Sequence, residues 1–260
     1  MPFATARGPP APYPRGTSPP TYGWGVEIEE EKALAARAAA GRIQSGQRVA
    51  LGTGSTATFA IRALAESFPG GDTLSMVASS LATERLATSL GLPVRGLEAN
   101  DHFDVMVDGA DEVTPTLALT KGGGGALFRE KFLARLTSEV VICVDHTKLV
   151  PRLGTRVPIP IEIVPYARVR LIQQLSEKSL SPRLRADQAT GAPALTDNGN
   201  EVLDLYPEKG VDDPAHLERH LRSLPGVIET GLFVGLAHRI YVGLPDGSVQ
   251  EIVRPDLPTP

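Results

Sequence analysis

Between residues 27 and 145 the chain alternates short apolar runs with stretches of helical period, and few folds accept that pattern. Residues 27–43 read as a helix, with acids in the first turn, where they suit the dipole, and an alanine-rich body. Residues 48–51 form a short apolar strand that runs straight into Gly52-Thr53-Gly54-Ser55-Thr56, and a second helix follows over 56–67. An apolar stretch at 73–78 precedes a helix over 81–90. A strand over 103–109, a glycine run at 122–125, a helix over 126–136 and the very apolar strand 140–145 close the series. Apolar strands alternating with amphipathic helices predict an α/β fold with a parallel sheet covered on both faces.

Beyond Leu153 the texture changes. A proline-punctuated strand at 157–166 leads to a helix at 167–177, short strands at 182–186 and 201–205, a helix at 214–223 and a final strand pair. The organisation expected is a Rossmann-like domain of residues 25–154 and 233–254, with a smaller α+β unit of ferredoxin-like kind inserted at 155–232. Residues 1–24 hold seven of the 23 prolines and no acidic residue, so neither a helix nor a central strand is expected there, but a disordered tail. The last residues, 255–260, are expected to fray.

Composition narrows the partners. With 26 basic against 30 acidic side chains the net charge is -4, which argues against a general nucleic-acid binder. The single cysteine, Cys143, cannot form an internal disulfide and reads as a buried small hydrophobe; no Cys/His cluster suggests a structural metal. No apolar run approaches the ~18 residues of a membrane helix. The expectation is a soluble, cytoplasmic protein without nucleic-acid or membrane partners.

In open α/β sheets ligands bind beyond the carboxyl ends of the strands. Three loops fall there. Thr53-Gly54-Ser55-Thr56 joins a strand to a helix, so its glycines allow close backbone approach and the helix start offers free N–H groups to an anion. Glycine-rich turns of this kind are also ordinary packing devices, and the sequence is neither a P-loop nor a dinucleotide fingerprint. Asp108-Gly109-Ala110-Asp111-Glu112 crowds three carboxylates at a strand end, which raises at least one pKa if they are buried together; a solvated acidic turn is the plainer alternative. Lys121-Gly122-Gly123-Gly124-Gly125 precedes a helix carrying Arg129-Glu130-Lys131, from which Glu130 can turn back towards Lys121. The plainer alternative for Glu130 and Lys131 is a surface charge pair.

Taken together, the loops suggest an acid/base enzyme for a phosphorylated metabolite. Because the chain is net negative, the cations for a phosphate must be local, and Lys32, Lys121 and Lys148 are the candidates. Carboxylates that move protons beside a lysine suit proton abstraction next to a carbonyl.

At these residues the sequence closely resembles the ribose-5-phosphate isomerase A family. The segments VALGTGSTATFAI, VDGADEVTPTLALTKGGGGALFREKFLA, VDHTKLVPRLGTRVPIPIEIVPYA, TDNGNEVLDL and LPGVIETGLFVG carry the resemblance, in that order, over residues 26–252. The resemblance implies interconversion of ribose 5-phosphate and ribulose 5-phosphate through a cis-enediolate, without a metal or other cofactor. It implies that Glu130 is the base between C1 and C2, that Asp108 and Asp111 assist ring opening and move protons among the oxygens, and that Lys121 stabilises the enediolate. It puts Thr53, Gly54, Ser55 and Thr56, with Asp108, Gly109, Ala110, Asp111, Lys121, Gly122, Gly123 and Gly124, around the substrate. Lys148 and Lys32 would hold the phosphate, and a homodimer or homotetramer is implied.

Departures from the family pattern are few. Thr147 stands where the family has a serine, His146 precedes it, and Gly125 adds a fourth glycine. A bystander role is the default for His146. Two other classes remain open: a sugar-phosphate-sensing regulator, which would need a helix-turn-helix segment that the proline-rich start does not supply, and a CoA-transferase-like enzyme using a glutamate nucleophile, which would need a nucleotide site.

Overall fold

The computed structural model describes residues 26–71 and 73–255, so the expectations for segment 1–24 and for the last residues fall outside it. Among the described residues helix α1 (Ile28–Ala40) comes first and is followed by β1 (Arg48–Leu51), α2 (Ser55–Ser67), β2 (Ser75–Ala78), α3 (Leu81–Ser89) and β3 (Phe103–Asp108). Then come β4 (Glu112–Val113), β5 (Leu119–Thr120), α4 (Leu127–Arg135) and the long strand β6 (Thr137–Asp145). The remaining elements are β7 (Ile159–Ile163), α5 (Arg168–Ser176), β8 (Arg183–Leu184), β9 (Glu201–Leu205), α6 (Pro214–Arg222), β10 (Val227–Thr230), β11 (Leu232–Phe233), β12 (Arg239–Gly243) and β13 (Val249–Val253).

The main sheet has the order β13-β12-β6-β3-β1-β2. All its pairings are parallel except that of β13 with β12. The chain leaves this sheet after β6 and returns to it at β12, directly beside β6. One apolar cluster, with Ala35, Ala39, Leu64 and Val105, fills the space under α1–α3; a second, with Phe103, Met106, Leu133 and Ile142, covers the opposite face. Strands buried on both sides explain the near-continuous apolar runs of β1, β3 and β6. Alanine dominates the buried face of α1 because that helix lies close to the sheet end: a Cβ on Gly243 would stand 2.0 Å from the Glu31 carbonyl oxygen.

Residues 159–230 form a second sheet, antiparallel, in the order β10-β7-β9-β8, with α5 and α6 connecting its strands. The resulting β-α-β-β-α-β order is the ferredoxin-like arrangement expected from the short strands and two helices. Its own apolar cluster includes Ile161, Leu171, Leu203 and Leu221. A third sheet, β11-β5-β4, joins the two and was not legible in the sequence, because two-residue strands carry no periodicity.

What matters for the site is the register of the main sheet. Leu51 pairs with Val107, and Val107 with Val141, so β1, β3 and β6 end close together on one side. The loops that leave their carboxyl ends are the Gly52–Thr56 turn, the Asp108–Asp111 segment and the turn at His146–Lys148.

Candidate active site

Each loop is held where it is by a specific steric or polar cause. Gly52 touches the Asp108 side chain so closely that a Cβ there would lie 2.0 Å from the carboxyl. Gly54 has φ +127°, a conformation that L residues with side chains rarely adopt. The Thr53 hydroxyl sits 2.7–3.0 Å from the hydroxyls of Ser79, Ser80 and Thr83, and Thr83 donates to the Gly52 carbonyl at 2.9 Å. This small hydroxyl cluster pins the turn whose next residue, Ser55, opens α2. Its three threonine and serine partners after Ala78 gave no signal in the sequence.

Asp108, fully buried at the end of β3, accepts hydrogen bonds from the amides of Thr53 (3.1 Å) and Gly109 (2.7 Å). Lys121 Nζ lies 2.8 Å from Asp108 Oδ2 and 3.3 Å from Glu130 Oε1, and donates to the Gly109 carbonyl at 2.8 Å. Glu130 is thus turned back towards Lys121, as its place on α4 suggested. Lys131 points elsewhere: its ammonium meets Glu218 (2.8 Å), Glu229 (3.0 Å) and the Thr230 hydroxyl (3.1 Å). Glu130 and Lys131 are both almost fully buried, so the surface-pair reading is overturned. Two residues adjacent on a helix face different directions, and here each found its own partner inside the protein.

Two buried carboxyls share one ammonium. Burial raises the pKa of Asp108, with Lys121 and two amides opposing. Burial also raises Glu130, to about 8; Lys121 counters this, while Asp108 and Asp111 push it further up. Burial works against the charge of Lys121, yet the Asp108 and Glu130 carboxylates outweigh it and raise its pKa. Asp108 accepts from two amides besides its ion pair with Lys121, whereas Glu130 has only the more distant ion pair. Glu130 Oε2 is buried and has no hydrogen-bond partner among the described residues. Asp111, half-buried, accepts from the Gly123 amide at 2.9 Å.

Lys148 is carried by the turn His146–Lys148 after β6. Asp145 Oδ1 caps that turn through the Thr147 amide at 3.0 Å and the Thr147 hydroxyl. Glu31 of α1, 1 % exposed, accepts from the His146 amide at 3.2 Å, and its Oε2 lies 2.6 Å from His146 Nδ1. The sequence reading missed this role of Glu31, because nothing separates it from its neighbours Glu29 and Glu30.

A cleft of about 70 Å³ lies among these groups. Thr53, Gly54, Ser55, Thr56, Gly109, Ala110, Asp111, Lys121, Gly122, Gly123, Gly124, Glu130 and Lys148 all line it. Asp108 stands just behind this wall. Lys32 is not in it: its ammonium is paired with Glu29 of the same helix at 2.6 Å. Glu112, the third crowded carboxylate, also faces away and accepts from the amides of Gly154 (2.6 Å) and Arg156 (2.7 Å) and from the Thr120 hydroxyl (2.9 Å). A larger, mostly apolar cavity lies across α4, between Val77, Leu97, Phe128 and Phe132, and holds none of the groups with raised carboxyl pKa. Among the described residues no group of three or more His, Cys, Asp or Glu side chains is arranged to hold a metal ion, and no helix is long and apolar enough to cross a membrane.

Fold and cleft together define an α/β enzyme, with an ammonium, buried carboxyls and a helix N-terminus converging on a small polar cleft. The sequence model of the family ribose 5-phosphate isomerase A (phosphoriboisomerase A) matches residues 75–247. Ribose-5-phosphate isomerase A of Deinococcus radiodurans is 43% identical over 231 residues, which is 88% of this chain and 100% of that protein. The enzyme of the same name from Chloroflexus aurantiacus is 42% identical over 90% of this chain and 98% of its own length. A solved D-ribose-5-phosphate isomerase in complex with phospho-erythronic acid superposes with TM-score 0.84 at 37% identity, covering 88% of this chain and 100% of the other. Ribose 5-phosphate isomerase A of Methanocaldococcus jannaschii superposes with TM-score 0.82 at 34% identity, over 87% of this chain and all of that one. The chain belongs to the ribose 5-phosphate isomerase A family.

Proposed function

We propose that this chain interconverts D-ribose 5-phosphate and D-ribulose 5-phosphate, with Glu130 as the base that carries a proton between C2 and C1. The observation that carries this reading is the Glu130 carboxyl itself: buried, with one oxygen on Lys121 and the other free, at the wall of the cleft. A base with a pKa of about 8 is matched to neutral solution, because it is strong enough to accept a weakly acidic C–H proton and is still partly ionised.

The geometry supports the following steps. Asp111, at the cleft wall and anchored by the Gly123 amide, assists opening of the furanose ring by moving a proton between ring oxygen and O1. Glu130 then removes the C2 proton of the open aldehyde, and the electrons of that bond move to O1 through a C1–C2 double bond. Lys121, itself buried, supplies the positive charge that the developing oxyanion needs. The proton on Glu130 is delivered to C1, and the O2 proton passes to O1 as the C2 carbonyl forms, so the enzyme ends as it began. Asp108 holds Lys121 in place and keeps it charged.

The phosphate lies remote from the reacting bond, where its grip orients the substrate. The start of α2, with Gly54, Ser55 and Thr56, offers free amides and hydroxyls, and Lys148 lines the same cleft. The phosphate contact implied for Lys32 requires its ammonium to leave Glu29. A metal-free mechanism, a dimeric or tetrameric assembly and a cytoplasmic location belong to the same proposal.

The test is the conversion of ribose 5-phosphate by the purified chain in the presence of EDTA, alongside unphosphorylated ribose. Turnover of the phosphate ester alone is expected. Tight binding of the ester without turnover would contradict the isomerase reading, and loss of turnover in EDTA would contradict the metal-free one.

A further inference from the structure

Arg185 follows β8 in the second sheet and belongs to none of the three strand-end loops. Its guanidinium nevertheless serves two sets of partners. Nε and Nη2 meet the Asp204 carboxylate at 2.9 and 2.5 Å, and Nη1 donates to the carbonyls of Gly122 (2.9 Å) and Gly123 (3.0 Å). The Asp204 fork fixes the plane of the guanidinium, and that plane presents the remaining N–H bonds to the glycine loop.

The consequences for the cleft follow from peptide geometry. In a planar trans peptide the N–H points opposite to the C=O. The peptide that offers its Gly122 oxygen to Arg185 donates its Gly123 N–H to Asp111 at 2.9 Å. The next peptide offers its Gly123 oxygen to Arg185, which turns the Gly124 N–H the other way. Gly124 lines the cleft, and its amide donates to no described residue. Four consecutive glycines would otherwise sample many backbone conformations, Gly122 and Gly125 already standing at φ +97° and +80°.

We propose that Arg185 is a positioning residue of this site: by holding two peptide planes of the glycine loop it aims the Gly124 amide and the Asp111 carboxylate at the substrate oxygens that exchange protons and gain charge. The inference rests on the isomerase reading above. Asp111 and the amide act on those oxygens, whereas the phosphate is gripped by α2 and Lys148, so removal of Arg185 lowers kcat and leaves KM nearly unchanged. Lysine cannot serve a bidentate carboxylate and two carbonyls at once, so Arg185→Lys restores only part of the activity.

The experiment measures kcat, KM and thermal unfolding for the full-length wild type, Arg185→Ala and Arg185→Lys with ribose 5-phosphate. A displacement of ~1 Å at reacting groups costs on the order of 100-fold, so kcat of Arg185→Ala should fall by about that factor while KM stays within about threefold. Arg185→Lys should fall between the two, and it carries the test if the alanine variant does not fold. A lowered melting temperature with undiminished kcat of the folded enzyme would show that Arg185 only ties the second sheet to the loop, and would overturn the proposal. A rise in KM at unchanged kcat would also overturn it. No turnover by the wild type would overturn the isomerase reading instead, so the two failures are distinguishable.

Discussion

Glutamine in place of Glu130 should change how the stability of this chain depends on pH. The carboxyl is 2 % exposed, and burial beside Asp108 moves its pKa from 4.5 up to about 8. The folded state therefore binds this proton more tightly than the unfolded chain does. The stabilisation is fully present below pH 4.5 and is lost as pH rises through the window that ends near 8. At ~1.4 kcal/mol per pH unit the whole displacement corresponds to about 5 kcal/mol. Glutamine keeps the shape and cannot ionise, so the variant gains on the wild type across this window. Between about pH 6 and pH 8 the gap should widen by roughly 2 to 3 kcal/mol in favour of Glu130→Gln. Urea unfolding of both proteins at several pH values in that range measures the gap as a difference in midpoints. A gap that stayed constant within about 0.5 kcal/mol would refute the reasoning, because it would mean that Lys121 alone offsets the burial of Glu130.

Further predictions concern the neighbouring groups. For the free enzyme, kcat/KM should rise about tenfold per pH unit at low pH and level off near 8, where Glu130 becomes ionised; a flat profile between pH 6 and 8 would exclude it as the base. Gly52→Ala places a methyl group 2.0 Å from the Asp108 carboxyl, so thermal unfolding should show a loss of several kcal/mol, on the order of 3, and activity should fall with it. Lys121→Met leaves two buried carboxyls without their cation; a destabilisation of about 3–5 kcal/mol at neutral pH is expected from urea titration, together with loss of turnover. Glu31→Ala releases the turn that carries Lys148, and KM for the phosphorylated substrate should rise by roughly tenfold while kcat changes less.

The main sheet was legible because apolar strands buried on both faces leave an unmistakable pattern, and the start of α2 and the ends of β3 and β6 then located the cleft. Charge alone was a poorer guide. Glu112 looks like a third acid of the cluster in the sequence, yet it directly follows Asp111 and instead ties down the backbone amides of Gly154 and Arg156. Lys131 looks like surface and is buried among Glu218 and Glu229, contacts that span nearly a hundred residues of chain. Arg185 was invisible for the same reason: its partners at Gly122 and Gly123 become neighbours only when the second sheet packs on the glycine loop. Local pattern reveals which loops line the cleft, whereas the groups that hold those loops are set by long-range packing.

The central claim is that the Glu130 carboxylate carries the proton between C2 and C1. It is tested most directly by exchange of the C2 hydrogen of ribose 5-phosphate with deuterium oxide, followed by NMR for the wild type and Glu130→Gln. The account predicts exchange coupled to isomerisation in the wild type and none in the variant, which should still bind the sugar phosphate. Exchange in Glu130→Gln at a rate near that of the wild type would contradict it and return the search for the base to Asp108 and Asp111.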